Sequence, residues 1–303
     1  MDDIILRVKD ICKYYPGVKA LDGVNFEVKR GEVHAICGEN GAGKSTFIKI
    51  LTGANEPTSG TIEFNGKEYA KLTPKQSMEL GISVIYQEFS LIPYLSVAEN
   101  IFYGREIKKG IIRDIAAIEK QDKELCKEMG VDIDVHKRVC DLGIAYQQIV
   151  EILKAVSKKS EFIIMDEPTA PLTVKETAVF FKIIQKLKQD HVTIIFISHR
   201  LEEVFEICDR VSVFCDCKYI VSKDVQDITK KQLITYMVGR ELSDDYPEPK
   251  RKIGETLLKV EHLKNKRVHD VSFELKKGEI LGFGGLVGAG RTELVRAIYG
   301  ADP

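Results

Sequence analysis

The sequence predicts an α/β fold built on a mainly parallel, doubly wound sheet, and three observations lead to this class. Short apolar segments alternate with helical segments along most of the chain. A glycine-rich phosphate-binding pattern stands between one apolar segment and the helix that follows it. The region around that pattern occurs a second time near residue 290. Alternating strands and helices of this kind form a parallel sheet with helices on both faces.

The individual elements follow from local periodicity. Residues 4–9 and 22–29 alternate apolar and polar side chains, which predicts half-buried strands of a small antiparallel subdomain. Apolar runs predict buried strands at Val33–Cys37, Ile82–Tyr86, Phe162–Met165 and Thr193–Ile197. The helical pattern predicts helices at Lys44–Thr52, Ile115–Met129, Gln147–Val156 and Val174–Lys188. The charged, helical stretch at about 90–155 is predicted to interrupt the sheet as a helical subdomain.

An internal duplication sets the domain organisation. Residues 24–55 align without gaps on residues 271–302 at a constant offset of 247, and about 12 of the 32 aligned positions are identical. We therefore predict a first domain at 1–242 and an incomplete second domain at 255–303. The charged segment 243–254, which contains proline and glycine, is predicted to link them.

Composition argues against several classes of protein. The 303 residues include 45 basic and 46 acidic side chains, and this balance gives no general attraction to nucleic acid or to an anionic membrane. No apolar run approaches the roughly 20 residues that a membrane span requires. The N-terminus lacks the basic start and apolar run of a signal peptide. Seven cysteines without zinc-site spacing are typical of a reducing compartment, so we expect a cytosolic chain with structural thiols.

The glycine-rich segment is a candidate nucleotide-binding loop. Its sequence, GENGAGKS, fits the P-loop pattern G-x-x-x-x-G-K-[ST] at every required position. Gly41 and Gly43 let backbone N–H groups turn toward phosphate oxygens, Lys44 would neutralise phosphate charge, and the Ser45 hydroxyl would bind Mg²⁺. The residues predicted to bind the nucleotide here are Gly38, Glu39, Asn40, Gly41, Ala42, Gly43, Lys44, Ser45 and Thr46. The second copy of the loop has Arg291 in place of the lysine.

An apolar strand that ends in two carboxylates supplies the acidic part of the site. Asp166 and Glu167 follow the run FIIM, at the edge of the sheet where the P-loop is also expected. Asp166 is predicted to hold Mg²⁺ through water, and Glu167 is predicted to polarise an attacking water as a general base. The alternative is a solvated strand end, which the P-loop makes less favourable.

Three further side chains are open to two interpretations from the residues alone. His199 follows the strand 193–198 and could bond a γ-phosphate or be structural. Gln87 could reach Mg²⁺ and water or be an ordinary surface amide. Tyr15 could stack on adenine or cover the small antiparallel sheet.

The order of these motifs resembles that of ATP-binding cassette (ABC) proteins. The likeness covers the whole chain and is closest to the duplicated ATPase subunits of bacterial monosaccharide importers, of the ribose, galactose and xylose type. The supporting segments are YPGVKALDGVNFEVKRGEVHAICGENGAGKST, VIYQEFSLIPYLSVAENIF, MDEPTAPLT, FISHRLEEVFEICDRV and MVGREL. A P-loop with arginine for lysine, as at Arg291, is also similar to that group.

This resemblance implies a function and assigns the open side chains. Tyr15 becomes the adenine-stacking aromatic, Gln87 the loop that senses the membrane subunit, and His199 the γ-phosphate switch. The implied substrates and cofactors are ATP and Mg²⁺, with Ser45, Gln87 and Asp166 at the metal. The implied protein powers monosaccharide import at the cytoplasmic face of the membrane. Its implied partners are permease subunits, a sugar-binding protein and a second ABC domain, without nucleic acid.

Three departures from the family pattern keep alternatives open. The signature motif Leu-Ser-Gly-Gly-Gln appears here as LGIAY at 142–146, so Gly143 cannot supply the serine hydroxyl. Thr173 stands where many ABC proteins have aspartate, and the second unit lacks its own signature, acidic pair and histidine. The alternatives are an ABC nucleotide-binding module with little turnover alone and a non-transport ABC ATPase. No residue identifies the sugar.

Overall fold

The structure is a computed structural model that describes residues 3–105, 107–109, 112–240, 252–285 and 288–302. It divides into two compact units, residues 1–242 and 243–303. The predicted linker at 243–254 lies outside the described residues except for its last three positions, which are not in a helix or strand.

The strands of the first unit number twelve among the described residues, and they alternate with eight α-helices. The strands are β1 (Ile4–Tyr15), β2 (Val18–Lys29), β3 (Val33–Cys37), β4 (Ser59–Phe64), β5 (Lys67–Tyr69), β6 (Ile82–Ile85), β7 (Lys108–Lys109), β8 (Ile112–Arg113), β9 (Phe162–Asp166), β10 (Thr193–Ile197), β11 (Arg210–Cys215) and β12 (Lys218–Asp224). The helices are α1 (Lys44–Leu51), α2 (Pro74–Glu79), α3 (Val97–Ile101), α4 (Ile115–Glu128), α5 (Ile144–Val156), α6 (Val174–Gln189), α7 (Leu201–Ile207) and α8 (Lys230–Val238). Short 3₁₀ turns occur at Val139–Asp141 and Val225–Asp227.

The larger sheet has the strand order β12-β11-β3-β10-β9-β6. All its pairings are parallel except that of β12 with β11. Every residue of β3 and β10 is buried, as the uninterrupted apolar runs predicted. Because neighbouring parallel strands end at the same edge, the loops after β3, β9 and β10 all leave the sheet on one side.

The smaller sheet is antiparallel, with the order β2-β1-β4-β5. Its first two strands are longer than predicted, because the alternation at 4–9 and 22–29 covers only their most regular parts. Register shifts between Val8 and Ile11 and between Ile11 and Lys13 interrupt the period-two pattern. The strands nevertheless stay paired to their hairpin end, where Tyr15 lies opposite Val18.

The region between β6 and β9 contains α3, α4, α5 and the short β7–β8 pair. Helix α5 begins at Ile144, three residues before the predicted start. Gly143 is its N-cap and supplies no side-chain hydrogen bond, so the sequence gives no capping signal there. Within the described residues, no helix is both long and apolar enough to cross a membrane.

The second unit contains β13 (Thr256–Leu263), β14 (Val271–Lys276) and α9 (Arg291–Tyr299). The two strands pair antiparallel. Residues 280–284, which the duplication aligns with β3, do not form a strand.

Candidate nucleotide-binding site

The P-loop connects β3 to α1, as its sequence context predicted. Gly43 is the N-cap of α1 and has φ +97°, in the left-handed region that favours glycine. A Cβ added to Gly43 would lie 2.5 Å from the Ala20 carbonyl oxygen. The start of β2 therefore packs directly against the end of the loop, and only glycine fits between them.

Lys44 stands at the C-terminal end of the loop, and its side chain folds back across the loop. Its Nζ donates hydrogen bonds to the carbonyl oxygens of Gly38, at 2.7 Å, and Glu39, at 3.0 Å. Burial lowers the pKa of Lys44, against the opposing effect of the Glu167 charge. The N-terminal N–H groups of α1 have no helical partners, and their dipoles favour an anion. This arrangement suits a phosphate group.

The predicted acidic pair lies where β9 leaves the sheet. Asp166 is the last residue of β9, and Glu167 follows with φ +49°, a conformation that is unfavourable for a residue other than glycine. The Glu167 N–H donates to the Ile197 carbonyl oxygen at 2.9 Å, which ties this turn to the end of β10. Burial, and next the nearby Glu167 charge, raise the pKa of Asp166.

Two other predicted residues meet Glu167. The Gln87 amide donates to one carboxylate oxygen of Glu167 at 3.4 Å. His199 Nδ1 lies 3.4 Å from the other oxygen. Three predicted catalytic side chains therefore converge from the loops after β6, β9 and β10. The His199 ring is exposed, so it can also face a ligand.

The other predicted ligand-binding residues lie along the P-loop and on the β1–β2 hairpin. Ser45, in the first turn of α1, is exposed, and Thr46 is half-buried. Tyr15 is partly exposed; Asn55 donates to its hydroxyl at 2.9 Å, and the Lys13 ammonium lies 5.1 Å from the ring centroid. The ring is thus held at the hairpin end of the strand pair whose β2 packs against Gly43.

The degenerate signature segment forms the N-terminal end of α5. The side chains of Ile144 and Tyr146 are about half exposed there. Thr173, the other departure, is the N-cap of α6 in a capping box with Glu176. Threonine and aspartate are both good N-caps, so this substitution preserves the start of the helix.

Two buried glutamates near the site were missed by sequence reasoning. Glu203 on α7 is 5% exposed and accepts hydrogen bonds from Thr169 and Ser198. Glu151 on α5 is 4% exposed and accepts hydrogen bonds from the backbone and side chain of Ser90. The available signal was positional, because each glutamate stands beside apolar residues on the face of a helix that is turned to the core.

Comparison with known proteins agrees with this geometry. The sequence profile of the ABC transporter family matches residues 21–170. A putative ribose/galactose/methyl galactoside import ATP-binding protein 1 of Agrobacterium fabrum is 49% identical over 99% of this chain and 60% of its own length. The ribose import ATP-binding protein RbsA 3 of Rubrobacter xylanophilus is 45% identical over 99% of this chain and 61% of its own length. The chain thus spans about three fifths of these relatives.

Solved structures give the same result for the fold. The crystal structure of the ADP conformation of an ATP-binding cassette of an ABC transporter superposes with a TM-score of 0.68. That match has 26% sequence identity and covers 78% of this chain and 99% of the other. The P-loop, the acidic pair and the order of the motifs agree with the sequence relationship and with this fold. The chain therefore contains an ATP-binding domain of the ABC transporter family.

Proposed function

We propose that the chain is the ATP-binding and ATP-hydrolysing part of a monosaccharide importer. ATP binds at the first P-loop, and its hydrolysis drives movement of sugar through a membrane permease. Relatives named as ribose import ATP-binding proteins support this proposal.

One observation carries the proposal, namely the convergence of Gln87 and His199 on Glu167. A carboxylate beside a phosphate-binding loop can polarise a water for attack on the γ-phosphate. Gln87 and His199 each contact one oxygen of Glu167, so together they restrict the direction in which the carboxylate points. An exposed strand end without this convergence would not favour catalysis over simple binding.

The residues at the site fit Mg²⁺. The Ser45 hydroxyl, the Gln87 amide oxygen and an Asp166 carboxylate are oxygen donors, which Mg²⁺ prefers. Burial, and next the Glu167 charge, raise the pKa of Asp166, so a nearby cation would stabilise the charged form of this carboxylate. When bound, the metal would neutralise charge that develops on the phosphates.

The other predicted site residues bind the nucleotide. Lys44 balances charge on the β- and γ-phosphates, and the backbone N–H groups of residues 38–46 bind their oxygens. Tyr15 stacks on the adenine. His199 donates a hydrogen bond to the γ-phosphate and responds to its presence.

The proposed partners follow from the same assignment. Permease subunits bind the first unit at the membrane's cytoplasmic face and link it to a sugar-binding protein. A second ABC domain supplies the signature segment that completes the Lys44 site. The first P-loop, with Lys44 and Glu167, would form a hydrolytic site, whereas the second P-loop, with Arg291 in place of lysine, would form a weak one.

The substitution Glu167→Gln tests the proposal. It should abolish ATP turnover and preserve Mg·ATP binding, because the amide keeps the shape of the side chain but cannot act as a base. The control is Glu161→Gln, which changes an exposed glutamate next to the other end of β9. Binding would be measured by calorimetry and turnover by phosphate release.

The mass of the Glu167→Gln chain in solution, with and without Mg·ATP, tests the partner assignment. A monomer that binds ATP supports the need for a further ABC domain. An ATP-dependent dimer would mean that two copies of this chain complete the site. Turnover that persists in Glu167→Gln would contradict the base assignment, and loss of binding would contradict the preserved site.

A further inference from the structure

A buried carboxylate links the two loops that position Glu167 and His199. Glu203 Oε2 accepts a hydrogen bond from the Thr169 hydroxyl at 2.6 Å and another from the Ser198 hydroxyl at 2.7 Å. Thr169 is two residues after Glu167, and Ser198 immediately precedes His199. One oxygen atom therefore joins the loop after β9 to the loop after β10.

We call the hydrogen-bonded set Thr169, Glu203 and Ser198 the bridge, and its three side chains are almost completely buried. Glu203 is 5% exposed, Ser198 4% and Thr169 1%. Hydroxyl-to-carboxylate distances of about 2.5–2.7 Å are those of charge-assisted hydrogen bonds, which are roughly twice as strong as neutral ones. Because a buried hydroxyl left without a partner is costly, the bridge strongly restrains both loops.

Arg200 contacts the second carboxylate oxygen of Glu203 and also binds the loop after β9. Its Nη1 lies 3.3 Å from Glu203 Oε1, and its Nη2 donates to the Ala170 carbonyl oxygen at 3.4 Å. The Arg200 backbone N–H donates to the Ser198 hydroxyl at 3.0 Å, which leaves the hydroxyl proton of Ser198 free for Glu203. Each loop is thus held by a hydroxyl and by Arg200.

The restraint matters because of the backbone at Glu167. Its φ of +49° is a conformation that surrounding contacts must maintain in a non-glycine residue. The Glu167 N–H bond to Ile197 and the bridge at Thr169 lie on either side of the turn. Without the bridge, the turn keeps the Glu167 N–H bond to Ile197 and the Arg200 bond to Ala170, but it loses the buried link from Thr169 to Ser198.

We propose that Glu203 is a positioning residue, which sets the placement of Glu167 relative to His199 by joining Thr169 to Ser198. The proposal rests on the proposed function, in which Glu167 and His199 act on ATP. Glu203 does not touch the nucleotide, so its loss should lower the rate of hydrolysis more than the affinity for ATP.

Thr169 offers the cleanest test because the bridge can be removed there without deleting the buried charge. Thr169→Val keeps the volume and removes the hydroxyl, whereas Thr169→Ser keeps the hydroxyl and removes a methyl group. Hydrogen exchange followed by mass spectrometry should be faster in Thr169→Val for segments 166–170 and 197–200, and unchanged in α4 and α8. Thr169→Ser should restore slow exchange. Equal exchange in the two variants, or faster exchange throughout the first unit, would overturn the proposal.

Turnover provides a second readout. The kcat of Thr169→Val should fall by roughly tenfold or more, since small misplacements of catalytic groups are costly. Its KM and its affinity for Mg·ATP should stay within about twofold of the parent, and Thr169→Ser should recover most of kcat. A fall in affinity that matches the fall in kcat would contradict a positioning role.

A change at Glu203 itself completes the set. Glu203→Gln retains one oxygen that can accept hydrogen bonds from both hydroxyls, so its kcat should fall less than that of Glu203→Ala.

The result for Glu167→Gln distinguishes the proposed function from the proposed bridge. If that variant keeps turnover and Thr169→Val still loosens both loops, the base assignment fails while the bridge stands. If Glu167→Gln is inactive and Thr169→Val matches Thr169→Ser, only the bridge fails.

Discussion

The two P-loops of this chain have closely similar sequences but different surroundings. In the first, β3 lies between β10 and β11, and all of its residues are buried. In the second, no described strand pairs with residues 280–284, and the side chain of Ile280 is 75% exposed. Yet α9 begins at Arg291 as α1 begins at Lys44, each after a glycine with positive φ. The glycine turn and the helix therefore form locally, whereas the strand requires neighbours.

The same difference is visible at the glycine before each helix. A Cβ on Gly43 would lie 2.5 Å from the Ala20 carbonyl oxygen, whereas a Cβ on Gly290 would meet nothing within 4 Å. The local conformation requires glycine at both positions, but packing requires it only at the first.

The largest effect expected from a substitution in either loop concerns stability. Gly43→Ala should lower the free energy of unfolding of the first unit by about 3 kcal/mol, because about 1–2 kcal/mol of left-handed strain adds to the cost of overpacking. Gly290→Ala should cost only the strain, about 1–2 kcal/mol, and only in the second unit. Urea unfolding would measure both losses, with hydrogen exchange in α1 and α9 assigning them. Equal losses would show that packing does not distinguish the loops.

The second expected difference between the two loops is in their affinity for nucleotide. Lys44→Ala removes the charge that we propose faces the phosphates, which corresponds to about 1.5–3 kcal/mol, or about 10- to 150-fold weaker Mg·ATP binding. Arg291→Ala should leave binding almost unchanged, because the planar guanidinium fits poorly where a compact ammonium is needed. Calorimetry would test both variants. Similar losses from the two substitutions would mean that the second loop also binds nucleotide tightly.

A third expected difference is in the response of stability to pH. Asp122 on α4, in the first unit, is buried, and among the described residues its carboxylate oxygens have no hydrogen-bond partner. Burial raises its pKa from 3.8 to about 7. Between these values the folded chain keeps a proton that the unfolded chain has lost, so the free energy of unfolding falls as pH rises through this window.

Asp122→Asn should remove that decline from the first unit and leave the second unchanged. Thermal unfolding at about pH 5 and pH 8 would reveal it, and Asp132→Asn, at an exposed position, is the control. If the midpoint of the Asp122→Asn variant falls with pH as steeply as that of the parent, other groups are responsible.

The fold was largely predictable from sequence because its core strands are short apolar runs between recognisable turns. The strands β3 and β10 are the clearest cases, since each residue in them is buried. Residues 280–284 show the limit of this reasoning, because they align with β3 yet form no strand and pair with no described strand. The start of α5 was missed because Gly143 gives no capping signal.

The candidate site was predictable in its parts but not in its connections. The P-loop, the acidic pair, Gln87 and His199 stand out as residue types in a fixed order. The links from Glu203 to Thr169 and from Glu151 to Ser90 join residues 34 and 61 positions apart. No local pattern encodes such contacts, because they depend on which loops the sheet brings together.

The left-handed backbone at Glu167 has an evolutionary consequence. Glycine or asparagine would relieve the strain at this position, so stability alone favours replacement of the glutamate. If Glu167 is the base that we propose, selection for hydrolysis opposes that replacement. In duplicated proteins of this type, a copy that keeps the turn but no longer needs turnover is therefore free to drift toward glycine or asparagine there. The residue at this one position would then indicate which copy still hydrolyses ATP.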